Sequence, residues 1–401
     1  MHQIIKLFSL ILLFLSTCVV GQNVVHFKTS NTITCGANRI DEYRYTLEES
    51  RVAVVANQTS MIGDVHLVDF LIEEEIDVVK VFAPEHGFRG KADAGAHVND
   101  GRDEKTGLKL TSLYGKNKKP SYDHLADVDV VVFDIQDVGV RFYTYISTMH
   151  YVMQACAEMD KKMVVLDRPN PNGFYVDGPL LSLDNQSFVG MHKIPLVHGM
   201  TIGELAKMIN HEGWLGEDLK CDLEVVPCLN YDHNDYYKLP IKPSPNLPNM
   251  QSIYLYPSLG LFEGTVVSVG RGTEYPFQVV GHPGLTKGGF KFTPTPSAGA
   301  RYPKLQGQVC VGYDLREYGI NEMPFEKELK LNWLIEAYNA LKDDEVPFFL
   351  ESGFINLLAG TKDLKKQIIS GMSEDEIRET WKEGLADFNK MRTKYLLYPD
   401  F

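Results

Sequence analysis

Four short runs of apolar, largely β-branched residues constrain this chain more than any other feature, because each closes abruptly on polar and ionisable groups. They are Arg51 to Asn57, Asp77 to Ala83, Asp129 to Ile135 and Met163 to Leu166. Runs of this length and composition read as buried strands. Between them, His66 to Glu75 and Thr144 to Met159 carry the apolar spacing of helices. Strand, helix, strand in that order implies parallel pairing with helices packed on the faces of the sheet, so the expected fold class is α/β with a largely parallel sheet.

The strand ends hold the chemistry. The first run passes into Asn57-Gln58-Thr59-Ser60 and the second into Pro84-Glu85-His86-Gly87. The third passes into Asp134-Ile135-Gln136-Asp137-Val138-Gly139-Val140-Arg141, and the fourth into Asp167-Arg168-Pro169-Asn170. In open α/β sheets ligands bind outside the carboxyl ends of the strands, so these groups are expected to converge on one edge. Glu85 is the leading catalytic candidate: Pro84 fixes the backbone before it, and Gly87 permits a sharp turn after it. For each group alone, loop capping is the competing structural reading. Asp134 and Asp167 then bond amides of the next turn, and Arg141 and Arg168 pair with them.

Further along, Thr201 and Glu204 form a capping box at the start of a helix that runs to about His211, a structural role. Asp222 to Cys228 is a further strand, and Lys242 to Pro248 a proline-stiffened loop containing Asn246. An apolar, helix-like run leads to Glu263, and Gly270 and Gly272 bracket Arg271, which is expected to face an anion or a carboxylate. After His282-Pro283-Gly284 the texture changes to Gly, Pro, Ser and Thr, followed by a strand at Gln308 to Asp314 and helical stretches at Phe325 to Leu341 and Glu374 to Lys394. The expected organisation is a processing segment at 1–21, an N-terminal extension at 22–44, a catalytic domain at 45–284 and a smaller C-terminal domain at 285–401. The last is expected to be a wall and lid of the cleft.

His2 and Lys6 precede the apolar stretch Leu7 to Leu15, and small residues stand before a cut at Gln22. This reads as a signal peptide and predicts an exported, periplasmic protein; a lipoprotein anchored through Cys18 is the alternative. After that segment no run approaches the length of a membrane helix, so no integral membrane segment is expected. The formal net charge of −13 argues against a nucleic-acid partner held by phosphates. No Cys-x-x-Cys and no His-Glu-x-x-His occur, and no glycine-rich dinucleotide or triphosphate fingerprint follows the first strand, so neither a cofactor nor a metal is expected. Ser268 lacks the first glycine of a nucleophile elbow. With Cys18 removed, five cysteines remain, among which Cys221 and Cys228 are the nearby pair in sequence. What is left is carboxylate chemistry assisted by Arg, Asn, His and Tyr, which in an exported protein points to hydrolysis of a glycosidic bond.

Several long motifs carry a resemblance. They are Phe82-Ala83-Pro84-Glu85-His86-Gly87-Phe88-Arg89-Gly90, Asp134 through Tyr145, Leu166-Asp167-Arg168-Pro169-Asn170-Pro171, Pro243-Ser244-Pro245-Asn246, and Glu263-Gly264-Thr265 with Gly270-Arg271-Gly272-Thr273. In this order they resemble the signatures of the exo-β-N-acetylmuramidases of the NamZ type, over about residues 45 to 400. The resemblance implies a Rossmann-like domain joined to a smaller C-terminal one, with the site in a cleft between them. It also implies release of N-acetylmuramic acid from the non-reducing end of peptidoglycan fragments, with Glu85 catalytic. Glu85 is then the expected general acid, and Asp134, Asp137 or Glu263 the second group, unless the substrate's 2-acetamido oxygen attacks. Arg89, Arg141, Arg168 or Arg271 is expected to pair with the lactyl carboxylate of muramic acid. His86, Asn170 and Asn246 are expected at the sugar, Tyr143 against its ring, and Asp134 and Asp167 among the binding groups. The chain departs from the family where tryptophans commonly stand, reading Leu239-Pro240-Ile241-Lys242 and His282-Pro283-Gly284-Leu285 instead. A non-catalytic sugar-binding protein and a cell-wall esterase or deacetylase are the alternative functions.

Overall fold

The expected strands assemble into one sheet. The computed structural model describes residues 24–85, 87–89, 100–115 and 117–401; the signal segment, Cys18 and His86 lie outside the described residues. The sheet has seven strands: β1 (Val52–Ala56), β2 (Val78–Ala83), β3 (Gly101–Arg102), β4 (Lys109–Ser112), β5 (Val130–Asp134), β6 (Lys162–Leu166) and β7 (Asp222–Val226). Their order is β7-β6-β5-β1-β2-β4-β3, and all pairings are parallel except that of β3 with β4. The chain starts in the middle, winds one way through β2 and β4, then returns past β1 to β5, β6 and β7.

Burial on both faces explains why these strands read as unbroken apolar runs. Every residue of β1 and β5 is buried. Alternate side chains feed two cores: Ala53, Val55, Val131 and Phe133 face one, and Val52, Val54, Val130 and Val132 the other. The first core continues through helices α1 (Tyr145–Glu158), α2 (Ile202–His211) and α3 (Met250–Leu259) into Trp333, Trp381 and Phe388 near the C-terminus.

Beyond the large sheet lies a three-stranded antiparallel sheet of β8 (Val279–His282), β9 (Phe290–Phe292) and β10 (Cys310–Asp314), which joins residues on both sides of the boundary expected at 284/285 and is followed by short helices. The stretch expected to be mostly helical from Phe325 to Leu341 holds two helices, Met323–Glu326 and Asn332–Leu341, the first ended by the left-handed conformation of Lys327. The capping box forms as expected, with Glu204 accepting from the Thr201 amide at 2.9 Å. Glu204 also accepts from the Leu397 amide at 2.8 Å, tying the C-terminus to the sheet domain.

Cys221 and Cys228 do not pair. They flank β7 at its two ends, about 20 Å apart at the rise of an extended chain, whereas a disulfide needs Cα atoms within about 7 Å. Among the described residues, no helix is long and apolar enough to cross a membrane.

Candidate active site

Glu85 follows β2 with only Pro84 between, and the turn after it uses Gly87 at φ 76°, with the Gly87 amide donating to the Pro84 carbonyl at 3.0 Å. The loop after β5 carries the start of α1 to the same place. There the hydroxyl of Thr144, the residue before α1, donates to Glu85 Oε2 at 3.0 Å. The Tyr145 hydroxyl donates to the Glu85 backbone carbonyl at 3.4 Å. Both the backbone and the half-buried carboxylate of Glu85 are therefore held by the first turn of a 14-residue helix.

Glu85 stands where two hollows join. The inner one, of about 60 Å³, is walled by Tyr143, Tyr145, Tyr256 and Phe277 and carries Ser244 and Asn246. The outer one, of about 610 Å³, falls in the size range of ligand sites. Its wall includes Tyr114, Glu263 and the segment 299–304. Glu85, Thr144 and Arg271 line both. The Arg271 guanidinium donates to Glu263 Oε1 at 2.8 Å and lies over the Phe277 ring at 4.9 Å. Lys304 adds a second cation. Its ammonium donates to the carbonyls of Phe262 and Thr265 and makes no ion pair among the described residues; burial pulls it down to about 8.

Of the residues expected at the site, the cleft gathers Glu85, Glu263, Arg271, Tyr143 and Asn246. Tyr143 is largely buried, donating to the Pro243 carbonyl at 2.7 Å, so it presents an edge of the inner hollow rather than an open stacking face. Asn246 donates to the Gly299 carbonyl at 2.8 Å and fastens the 299–304 wall.

The other expected residues are held away from the cleft, each for an identifiable reason. Asp134 and Arg168 end neighbouring strands and close on each other in a fully buried, bidentate pair at 2.5 and 2.8 Å. Asp167 accepts from Thr201, Tyr398 and the Gly203 amide. Asn170 braces its own loop through the Met200 carbonyl and the Asn172 amide. Arg89 turns back to Asp103 and Asp69. Arg141 is a buried clamp that donates to the carbonyls of Pro179, Ile194 and Leu358, and burial draws it down to about 9.

Asp137 is also inside. Its Oδ2 accepts from the Gly139 amide at 2.7 Å and lies 3.7 Å from His198 Nε2, and its Oδ1 has no hydrogen-bond partner. Burial pushes its carboxyl up to about 7. The folded protein therefore keeps this proton between about pH 4 and 7 while the unfolded chain releases it, so the group costs stability as pH rises through that window. Asp137→Asn should flatten that fall by up to about 3 kcal/mol in urea unfolding at pH 4.5 and 7.5, with turnover unchanged. Loss of turnover in the folded variant would put Asp137 back among the catalytic groups.

Thr144, Tyr114 and Lys304 were not singled out from sequence. Thr144 was legible as the residue where the apolar helix pattern begins; Lys304 sits in a Gly- and Pro-rich stretch with no pattern to mark it. No cluster of three or more His, Cys, Asp or Glu is grouped to hold a metal ion among the described residues.

Two family models cover the chain. Residues 52–251 match the N-terminal model of exo-beta-N-acetylmuramidase NamZ, and residues 254–398 match its C-terminal model. A curated relative, the peptidoglycan beta-N-acetylmuramidase NamZ of Bacillus subtilis (strain 168), is 39% identical over 383 residues, 90% of this chain and 89% of its own. Two crystal structures of DUF1343 family proteins from Bacteroides fragilis NCTC 9343 superpose with TM-scores of 0.85 and 0.78 at 47% and 29% identity. Each covers 92% of this chain and 99% of its own.

Proposed function

Because the chain belongs to the NamZ exo-β-N-acetylmuramidase family, and is thereby a glycosidase, we propose that it releases N-acetylmuramic acid from the non-reducing end of peptidoglycan fragments, with Glu85 as general acid. The observation that carries this reading is the position of Glu85, a carboxyl held in place by Thr144 at the junction of the two hollows. In this role Glu85 gives its proton to the glycosidic oxygen as the bond from that oxygen to the anomeric carbon breaks, and water completes the hydrolysis at that carbon. The apolar segment before Gln22 supports export to the compartment where this polymer lies.

The lactyl carboxylate is what sets muramic acid apart from glucosamine, and Arg271 is our choice for its partner. Arg89, Arg141 and Arg168 are engaged elsewhere, whereas Arg271 lines the cleft beside Glu85. Glu263 holds its Nε and leaves the terminal nitrogens of the fork for a ligand. With Lys304 and Arg301 in the same lining, three cations stand against the carboxyl groups of Glu263 and Glu85, so the cleft has net positive charge to offer an anion. Tyr302, 85% exposed on the rim, offers a stacking face to a second sugar. Arg271→Met should lower kcat/KM on a muramide about 10- to 100-fold, the effect of one charged hydrogen bond, mostly through KM. An unchanged KM would remove Arg271 from substrate recognition.

Mass spectrometry of the products from a muramyl-glucosamine disaccharide tests the reaction class. Free N-acetylmuramic acid is the expected product. Released acetate or lactate would instead mark a deacetylase or esterase, and tight binding without products a binding protein.

A further inference from the structure

We propose that Cys35 and Cys228 form a disulfide that staples the N-terminal segment onto the end of β7. The register carries this inference. Thr34 and Leu229 exchange both backbone hydrogen bonds, at 3.1 and 2.8 Å, as an isolated antiparallel bridge. The next residues across that bridge are Cys35 and Cys228, which makes them a non-hydrogen-bonded antiparallel pair, the kind whose Cα atoms approach to about 4.5 Å. That spacing lies within the range of disulfides.

The surroundings hold the pair in place. The Gly36 amide donates to the Asp167 carbonyl at 2.9 Å, and a Cβ on Gly36 would stand 2.3 Å from the Val226 carbonyl oxygen, so the segment lies directly on the sheet edge. Both residues are buried, at 4% and 5% exposure; Cys35 Sγ lies 3.9 Å from the Tyr237 hydroxyl and Cys228 Sγ donates to the Asp167 carbonyl at 3.3 Å. The neighbouring Cys228, and then the Arg168 guanidinium, draw the Cys35 thiol down to about 7. A thiol of that acidity suits attack on a disulfide near neutral pH.

The step balances with a disulfide donor such as glutathione disulfide. The Cys35 thiolate attacks one donor sulfur, breaking the donor S–S bond and releasing one glutathione thiolate. The Cys228 thiolate then attacks Cys35 Sγ in the mixed disulfide and releases the second. Two protein thiols lose two electrons and two protons, and the donor gains both. An oxidising compartment keeps such a bond, and by closing a loop of nearly half the chain it restricts the unfolded state strongly.

The test is to incubate the protein with glutathione disulfide in urea below the unfolding transition, then alkylate and map the peptides without reduction. The expected result is a Cys35–Cys228 linked peptide, with Cys156, Cys221 and Cys310 alkylated and Tm about 5 °C or more above that of dithiothreitol-treated protein. Cys228→Ala should instead retain one glutathione on Cys35 and lose the redox dependence of Tm. Five alkylated cysteines, a link between any other pair, or a redox-dependent Tm that survives in both Cys35→Ala and Cys228→Ala would overturn the proposal.

Discussion

Replacing Glu85 with Gln should lower kcat/KM on a muramyl-glucosamine disaccharide by at least about 100-fold, the scale of a lost general acid, while leaving thermal unfolding where it was. Gln keeps the shape and the oxygen that accepts from Thr144, so the fold has no reason to change. What it lacks is a proton to give. The loss should depend on the leaving group: 4-nitrophenol departs with little help, so the nitrophenyl muramide should lose much less than the disaccharide. An equal loss on both substrates would mean that Glu85 acts by positioning the sugar, and an active variant would remove it from the centre of the mechanism.

The second large effect is on stability. Asp134 and Arg168 are 0% and 4% exposed and bonded twice to each other, and Arg168 also donates to the Met61 carbonyl at 3.1 Å. Arg168→Met leaves a carboxylate buried without its counter-charge, which should cost about 3–5 kcal/mol in urea unfolding. Adding Asp134→Leu removes the stranded charge and should recover most of that loss. Because the pair lies outside the cleft, the folded fraction of the single variant should keep its kcat. A loss of kcat with unchanged stability would contradict the placement of the pair and return Asp134 and Arg168 to the site.

These two predictions mark where the sequence was legible and where it was not. β1, β2, β5 and β6 lie within one or two residues of their apolar runs, because burial on both faces writes itself as unbroken hydrophobicity. The position of Glu85 on the cleft was legible for the same reason: it stands just past the carboxyl end of such a run, where open α/β sheets place their ligands. Asp134 and Arg168 carried the same signal yet turned inward, because β5 and β6 are neighbours and the groups at their ends reach each other before they reach a ligand. Strand adjacency depends on the order of the sheet, which four local patterns do not specify. Lys304 and Cys35 were silent for a different reason. Each owes its surroundings to a segment distant in the chain, Phe262 and Thr265 for the first and the end of β7 for the second, and no local periodicity reports such a contact.

The most direct measurement is the rate of 4-nitrophenol release by the wild-type protein from 4-nitrophenyl β-N-acetylmuramide, with the corresponding N-acetylglucosaminide as control. The account predicts steady turnover of the muramide and a kcat/KM at least about 10-fold lower on the glucosaminide, which offers no carboxylate to Arg271 and Lys304. Folded protein that turns over neither, or that cleaves both equally, would contradict it.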